Sequence, residues 1–169
     1  MSMAIAASGF DERDWADWLP RLRAALPGES IWPLATCPDV AEVDIGLAAN
    51  PAPGSWAALP KLAFIQSLWA GVDRLLADAS VPAHIPLARM VDPAMNAAMA
   101  ETALWAVLGL QRDFFRYAAQ QQQAAWQPHP QRRADATTVT VLGLGQMGAQ
   151  VAQRLLVNGY HVQAWRRAP

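Results

Sequence analysis

The chain has a single cysteine, Cys37, among its 169 residues. One cysteine excludes an intramolecular disulfide and gives no pair with metal-site spacing, so the composition suits a reducing compartment. We interpret Cys37 as a small buried or loop residue. An excess of charge of one sign is also lacking, because 13 basic and 14 acidic residues leave a formal net charge of −1. Nucleic acid is therefore not expected as a partner, since its binding normally needs a clustered basic surface.

Long hydrophobic runs are absent as well. The longest, residues 97–110, is interrupted by Glu101 and is shorter than the ~20 residues that a membrane-spanning helix needs. The amino terminus has no basic segment followed by an apolar stretch, because Gly9 and the charged residues after it interrupt the pattern. We therefore expect no signal peptide, no membrane partner and a cytoplasmic location. With 53% apolar and 16% charged residues, the composition is typical of a globular chain.

Strand-like and helix-like patterns alternate over residues 1–91. Extended apolar runs that predict strands occupy residues 3–7, 30–34, 43–48 and 62–68. A further short strand is expected near Leu87. Apolar side chains at helical spacing predict a helix over residues 14–26 and a short one over residues 72–77. This alternation predicts an open, flavodoxin-like α/β domain with a parallel sheet covered on both faces.

A different pattern begins at Asp92. Asp92 and Pro93 suit the cap and first turn of a helix, and residues 94–123 contain no further proline and only Gly109 as a glycine. We predict one long helix there, followed by a proline-containing linker, so that residues 92–130 join two domains. Apolar residues surround much of the helix, which makes domain packing and self-association both candidates for covering it.

A glycine-rich loop follows the apolar strand pattern of residues 138–142. Gly143, Gly145 and Gly148 have the spacing G-x-G-x-x-G. A helix-like run over residues 149–157 and a second strand-like run, His161-Val-Gln-Ala-Trp165, come next. We interpret this order as the opening βαβ unit of a Rossmann dinucleotide-binding domain.

Each glycine has a physical role in that interpretation. Gly143 permits the tight turn, Gly145 removes the side chain that would block a pyrophosphate, and Gly148 lets the helix approach the strand. The free N–H groups around Gln146 and Met147, at the helix amino terminus, then point at the anion. A glycine turn between a strand and a helix, with no ligand, is the alternative.

The residues after the second strand bear on the choice of cofactor. An acidic residue about 20 positions beyond the glycines holds the ribose 2′-hydroxyl of NAD. This chain has Arg166 and Arg167 in that place. Two guanidinium groups would pair with a 2′-phosphate, so the sequence favours NADP(H) over NAD(H). Arginines at a solvated end of the chain are the alternative interpretation.

These motifs together resemble the D-isomer-specific 2-hydroxyacid dehydrogenases, in particular the glyoxylate/hydroxypyruvate reductase A type. The resemblance covers nearly the whole chain and rests on the glycine loop, on Ser67-Leu-Trp-Ala-Gly-Val-Asp73, on residues 91–101 and 112–117, and on Trp126-Gln-Pro128. It implies an oxidoreductase that transfers a hydride between NADP(H) and a small 2-keto or 2-hydroxy acid such as glyoxylate or hydroxypyruvate.

The resemblance also implies a substrate site. In that family backbone N–H groups of the Ala-Gly-Val loop bind the substrate carboxylate, which points to Ala70 and Gly71, with Trp69 and Val72 beside them. Gly71 lets the backbone approach a small ligand, and N–H groups at a strand-to-helix turn form an anion-binding nest. A tight turn with Val72 in the core is the alternative, and it would need the same glycine.

No catalytic residue and no metal ligand can be named. The family's catalytic arginine, carboxylate and histidine are expected in segments that this chain lacks. We interpret His84, His129 and His161 as surface residues, and Arg112 and Arg116 as packing or ion-pair residues of the long helix. The chain is therefore expected to be an amino-terminal fragment, inactive alone, of an enzyme that forms a homodimer through the long helix. Its cofactor domain would begin at residue 131 and be incomplete.

Two other functions stay open. One is a non-catalytic α/β association module, in which the βαβ unit only caps the rest of the chain. The other is an NAD-linked dehydrogenase of a different substrate class.

Overall fold

The structure, a computed structural model, describes residues 1–166. The chain divides into two compact units, Met1–Val91 and Asp92–Pro169. Each unit has a parallel β-sheet with helices packed on it, so the α/β fold with parallel strands is confirmed. No helix among the described residues has both the length and the apolar character needed to cross a lipid bilayer.

A five-stranded sheet forms the centre of the first unit. Its strands are parallel, in the order β2-β1-β3-β4-β5, and comprise β1 (Ser2–Ala7), β2 (Ser30–Pro33), β3 (Ile45–Ala49), β4 (Phe64–Ser67) and β5 (Leu87–Ala88). Helix α1 (Glu12–Ala25) joins β1 to β2, and the short helix α2 (Asp73–Leu76) follows β4. This strand order is the flavodoxin-like form of the doubly wound fold.

Both faces of this sheet are covered. On one face α1 packs Trp15, Leu19 and Leu22 against the strands. On the other face the segment between β3 and β4 contributes Trp56 and Leu59 to a second buried cluster. A strand buried on both faces is apolar at successive positions and does not alternate, which explains the continuous apolar runs in the sequence.

The second unit is built around one βαβ motif. Strands β6 (Thr138–Leu142) and β7 (His161–Trp165) pair in parallel and are connected through α5 (Gln146–Val157). Helix α3 (Pro93–Gln111) packs against α5, and α4 (Phe114–Gln122) follows α3. The predicted order of strand, loop, helix and strand is observed, with α5 beginning at Gln146 rather than at residue 149.

The prediction of one long helix over residues 94–123 is wrong. The helix is interrupted between α3 and α4, where Asp113 has φ = 54° and ψ = 33°. This left-handed conformation is open to aspartate and cannot continue a right-handed helix. Within the described residues, α3 buries Ala100 and Gly109, while Trp105 and Leu110 are exposed.

Candidate functional site

The glycine loop connects the carboxyl end of β6 to the start of α5. Gly143 has φ = 96°, in the left-handed region that favours glycine. Its N–H donates to the carbonyl oxygen of Trp165 over 2.7 Å, so the loop begins beside the end of β7. The tight turn expected of Gly143 is therefore present.

The other two glycines differ in the space around them. A Cβ atom on Gly148 would lie 2.0 Å from the carbonyl oxygen of Gly143, so a side chain there would collide with backbone. A Cβ atom on Gly145 would meet no atom within 4 Å. Close approach of helix to loop at Gly148, and free space beside the backbone at Gly145, are the two conditions for seating a pyrophosphate.

The start of α5 adds donors at the same place. Gly145 precedes the first helical residue, and its carbonyl accepts the N–H of Ala149 over 2.8 Å. No side chain caps this end of α5, whose first residues are Gln146 and Met147. The N–H groups of a first helical turn have no acceptor within the helix, and the dipole of a 12-residue helix favours an anion there. The residues present therefore fit a dinucleotide phosphate.

One of the two arginines predicted to favour NADP(H) lies next to this loop. Arg166 directly follows β7 and is exposed. The hydrogen bond between Gly143 and Trp165 brings the end of β7 to the loop, and Arg166 with it. Arg167 lies outside the described residues. No carboxylate occupies β7, whose residues are His161-Val-Gln-Ala-Trp165.

In the first unit, the predicted substrate loop, residues 69–72, joins β4 to α2. Gly71 is exposed, whereas Trp69, Ala70 and Val72 are half-buried. Gly71 does not have a left-handed φ, and a Cβ atom there would meet nothing within 4 Å. The expectation that a turn without a ligand would need the same glycine is therefore wrong: the backbone conformation does not require Gly71. Its absent side chain leaves the loop accessible.

A cavity of 790 Å³ opens at the carboxyl ends of β1, β3 and β4, and the substrate loop forms part of its wall. The polar and loop residues that line it include Ser8, Asn50, Ser67, Trp69, Gly71 and Arg74. In doubly wound sheets, ligands bind outside the carboxyl ends of the strands. The cavity is therefore in the position expected for a small-molecule site in this unit.

Two charged side chains hydrogen-bond to loops that form the cavity wall. Arg89 Nη1 donates to the carbonyl oxygen of Ala70 over 3.4 Å. The Asp78 carboxylate accepts the N–H of Ser80 over 2.9 Å and the N–H of Gly54 over 3.3 Å. Ser80, through its N–H first and then its side chain, lowers the pKa of the Asp78 carboxyl below its ordinary value, and the N–H of Gly54 adds a smaller lowering. The ionised carboxylate thereby connects two loops of the cavity wall.

Sequence reasoning missed the polar residues at the strand ends. The N–H and hydroxyl of Ser8, just after β1, both donate to the carbonyl oxygen of Asn50, which follows β3 with φ = 50°. Ser67, at the end of β4, is buried. The available signal was a small polar residue near the end of three of the apolar runs.

None of the three histidines is among the residues that line the cavity. His129 belongs to the linker after α4, where its backbone N–H donates to the hydroxyl of Tyr117 over 2.9 Å. His84 is exposed, and His161 begins β7. Within residues 1–166, no three His, Cys, Asp or Glu side chains are grouped so that they could hold a metal ion.

The sequence is similar to those of known proteins. The family model for the NAD binding domain of D-isomer specific 2-hydroxyacid dehydrogenases matches residues 104–169. The glyoxylate/hydroxypyruvate reductase A of Yersinia enterocolitica is 33% identical over 159 residues, which cover 90% of this chain and 50% of that protein. The enzyme of the same name from Citrobacter koseri is 35% identical over 162 residues, 92% of this chain and 51% of that one. The chain thus spans about half the length of these relatives.

Solved structures agree with the sequence comparison. A D-isomer specific 2-hydroxyacid dehydrogenase from Xanthobacter autotrophicus Py2, in complex with NADPH and MES, superposes with a TM-score of 0.87 at 32% identity. The match covers 99% of this chain and 54% of that one. The NADPH-dependent glyoxylate/hydroxypyruvate reductase of Sinorhizobium meliloti, in complex with NADP and sulfate, superposes with a TM-score of 0.87 at 27% identity. That match covers 100% of this chain and 54% of the other. The chain belongs to the D-isomer-specific 2-hydroxyacid dehydrogenase family.

Proposed function

We propose that this chain contributes the cofactor-binding and carboxylate-binding elements of an NADP(H)-dependent reductase of small 2-keto acids such as glyoxylate and hydroxypyruvate. The observation that carries the proposal is the glycine loop, where Gly148 allows close packing, Gly145 leaves space for a pyrophosphate, and Arg166 lies where NAD-specific proteins have a carboxylate. Two relatives of known structure were solved with NADPH or NADP, which supports the same cofactor here.

This proposal assigns a role to each segment of the chain. Residues 1–91 would be part of the substrate-binding domain, residues 92–130 the helical connection, and residues 131–169 the beginning of the NADP(H)-binding domain. That the chain corresponds to the amino-terminal half of its relatives, and that the protein is cytoplasmic, stay predictions. The apolar surface of α3 and α4 supports a homodimer of the whole enzyme.

The residues of this chain would bind and orient the keto acid and the cofactor. The N–H groups of Ala70 and Gly71, with Trp69 and Val72 beside them, would hold the carboxylate of the keto acid. The first turn of α5 would hold the cofactor pyrophosphate. When bound, NADPH would provide the hydride for reduction of the C2 carbonyl carbon, and the carbonyl oxygen would take up a proton to give a 2-hydroxy acid. Because no residue here is assigned to deliver that proton, we expect the 169-residue chain to be inactive alone.

Cofactor preference tests the proposal directly. The affinities for NADPH and NADH are measured by cofactor fluorescence for the wild-type chain and for Arg166→Gln. The wild-type chain should bind NADPH more tightly, and the substitution should weaken NADPH binding by about tenfold with little effect on NADH, because a charge-assisted hydrogen bond to the 2′-phosphate is lost. Arg112→Gln, which removes an exposed arginine after α3, is the matched control.

Three results would each contradict part of the proposal. Equal binding of NADH and NADPH by the wild-type chain, unchanged in Arg166→Gln, would favour an NAD-linked dehydrogenase of another substrate class. The absence of binding to either nucleotide would favour a non-catalytic association module. Sustained keto-acid-dependent oxidation of NADPH by the pure chain would overturn the expectation that it is inactive alone.

A further inference from the structure

The buried serine at the end of β4 contacts the substrate loop. Ser67 is 3% exposed and is the one polar residue in the buried class between residues 1 and 166. Its hydroxyl accepts the N–H of Trp69 over 3.1 Å and donates to the carbonyl oxygen of Trp69 over 2.9 Å. A single side chain thus fixes both backbone groups of Trp69, at the first residue of the loop.

Two more hydrogen bonds are accepted by backbone carbonyl groups of the loop. The N–H of Met90 donates to the Trp69 carbonyl oxygen over 3.2 Å, and Arg89 donates to that of Ala70. The loop carbonyls are therefore turned toward the segment after β5. Among the described residues, the N–H groups of Ala70, Gly71 and Val72 have no hydrogen-bond acceptor.

Peptide geometry connects these two observations. In a trans peptide, the carbonyl of one residue and the N–H of the next lie in one plane and point in opposite directions. The Trp69 carbonyl and the Ala70 N–H share a plane, so fixing the carbonyl also fixes the direction of the N–H. The Ala70 carbonyl and the Gly71 N–H are related in the same way. Hydrogen bonds on one side of the loop thereby present free donors on its other side.

We propose that Ser67 is a positioning residue for the substrate carboxylate: its hydroxyl fixes the plane between Trp69 and Ala70, so that the Ala70 N–H is oriented before the ligand arrives. This inference rests on the proposed function, which assigns the carboxylate to these N–H groups. A donor that is already oriented binds an anion without the entropy cost of ordering the loop. Ser67 acts through the backbone and does not contact the substrate.

Binding of oxalate, a two-carbon analogue of a 2-keto acid, tests the role of Ser67. The backbone amide signals of Ala70, Gly71 and Val72 are followed by ¹H–¹⁵N NMR while sodium oxalate is added to the full chain at constant ionic strength. Loss of the hydroxyl in Ser67→Ala should weaken oxalate binding by about tenfold, because two hydrogen bonds that order the loop are removed. Ser67→Thr keeps the hydroxyl and should retain affinity within about twofold.

A second serine gives the matched control. The hydroxyl of Ser55 also donates to a backbone carbonyl in this unit, that of Ala52 at 2.6 Å, but it makes no hydrogen bond to residues 69–72. Ser55→Ala should leave oxalate binding unchanged. If Ser67→Ala does not fold, Ser67→Cys keeps the side-chain volume and supplies only a weak hydrogen-bonding thiol, so the same weakening is expected of it.

The outcomes separate this inference from the proposed function. If oxalate shifts the three amides equally in the wild-type chain and in a folded variant without the serine hydroxyl, the role of Ser67 is refuted and the carboxylate site stands. If oxalate does not shift these amides in the wild-type chain, both the site and the role of Ser67 are refuted. NADPH added to the same samples reports on the amides of residues 143–148, so cofactor binding is judged separately.

Discussion

At the scale of single residues, the glycines at positions 143, 145 and 148 differ in what the backbone requires of them. Gly143 supplies a positive φ, and Gly148 supplies the space for close packing. Neither reason applies to Gly145, which has an ordinary φ of −68° and free space around it. A glycine without a structural requirement, between two that have one, is best explained by the approach of a ligand to the backbone.

This difference predicts opposite behaviour of two alanine variants. In Gly148→Ala the new methyl group collides with the Gly143 carbonyl, so the second unit should lose about 1–3 kcal/mol of stability or more. Gly145→Ala should change the free energy of unfolding by less than about 1 kcal/mol. It should nevertheless weaken NADPH binding, because the methyl group occupies the place of the pyrophosphate. Urea unfolding and cofactor fluorescence on both variants check this, and equal stability of the two would contradict it.

The elements show which parts of the fold can be predicted from sequence. The βαβ motif was predicted within a few residues, because glycine spacing marks the loop and the apolar period changes on each side of it. The break between α3 and α4 was not predicted, because Asp113 adopts a left-handed φ and no glycine or proline marks the position in the sequence. The role of Ser67 also escaped prediction. Its partner Trp69 is only two residues away, but the apolar pattern does not indicate which serine hydroxyl folds back onto the backbone.

The carboxyl end of α4 gives a prediction at this scale. Ala124 has φ = 51°, with hydrogen bonds from the N–H of Ala124 to the Gln121 carbonyl and from that of Ala125 to the Gln120 carbonyl. These are the two bonds of a Schellman motif, whose left-handed position favours glycine. Ala124→Gly should therefore stabilise α4, by about 0.5–1 kcal/mol after the entropy cost of glycine is included.

The same substitution inside α4 is the control. Ala119 is exposed and helical, so Ala119→Gly should destabilise α4 by about 1 kcal/mol. Hydrogen exchange of the α4 amides measures both effects, and a destabilising Ala124→Gly would show that the left-handed cap does not form.

The whole molecule combines a weak net charge with an exposed apolar surface. The second unit exposes large side chains along α3 and α4, namely Met99, Trp105, Leu110, Phe114 and Phe115. Two of them, Trp105 and Phe115, pack edge to face with ring centroids 6.1 Å apart. A formal net charge of −1 provides little electrostatic repulsion between copies of the chain. Contiguous exposed apolar side chains of this kind mark association surfaces.

We therefore predict that the chain self-associates through α3 and α4. Trp105, 60% exposed, should lie near the centre of the contact, where a buried tryptophan contributes about 2 kcal/mol or more to binding. In sedimentation experiments, Trp105→Glu should raise the dissociation constant of the dimer by at least about tenfold, because a charge would be buried without a partner. Leu76→Glu places the same charge at a 69% exposed leucine of α2 and should have no effect. A wild-type chain that stays monomeric at high concentration, or two variants that associate equally well, would rule out this surface as the contact.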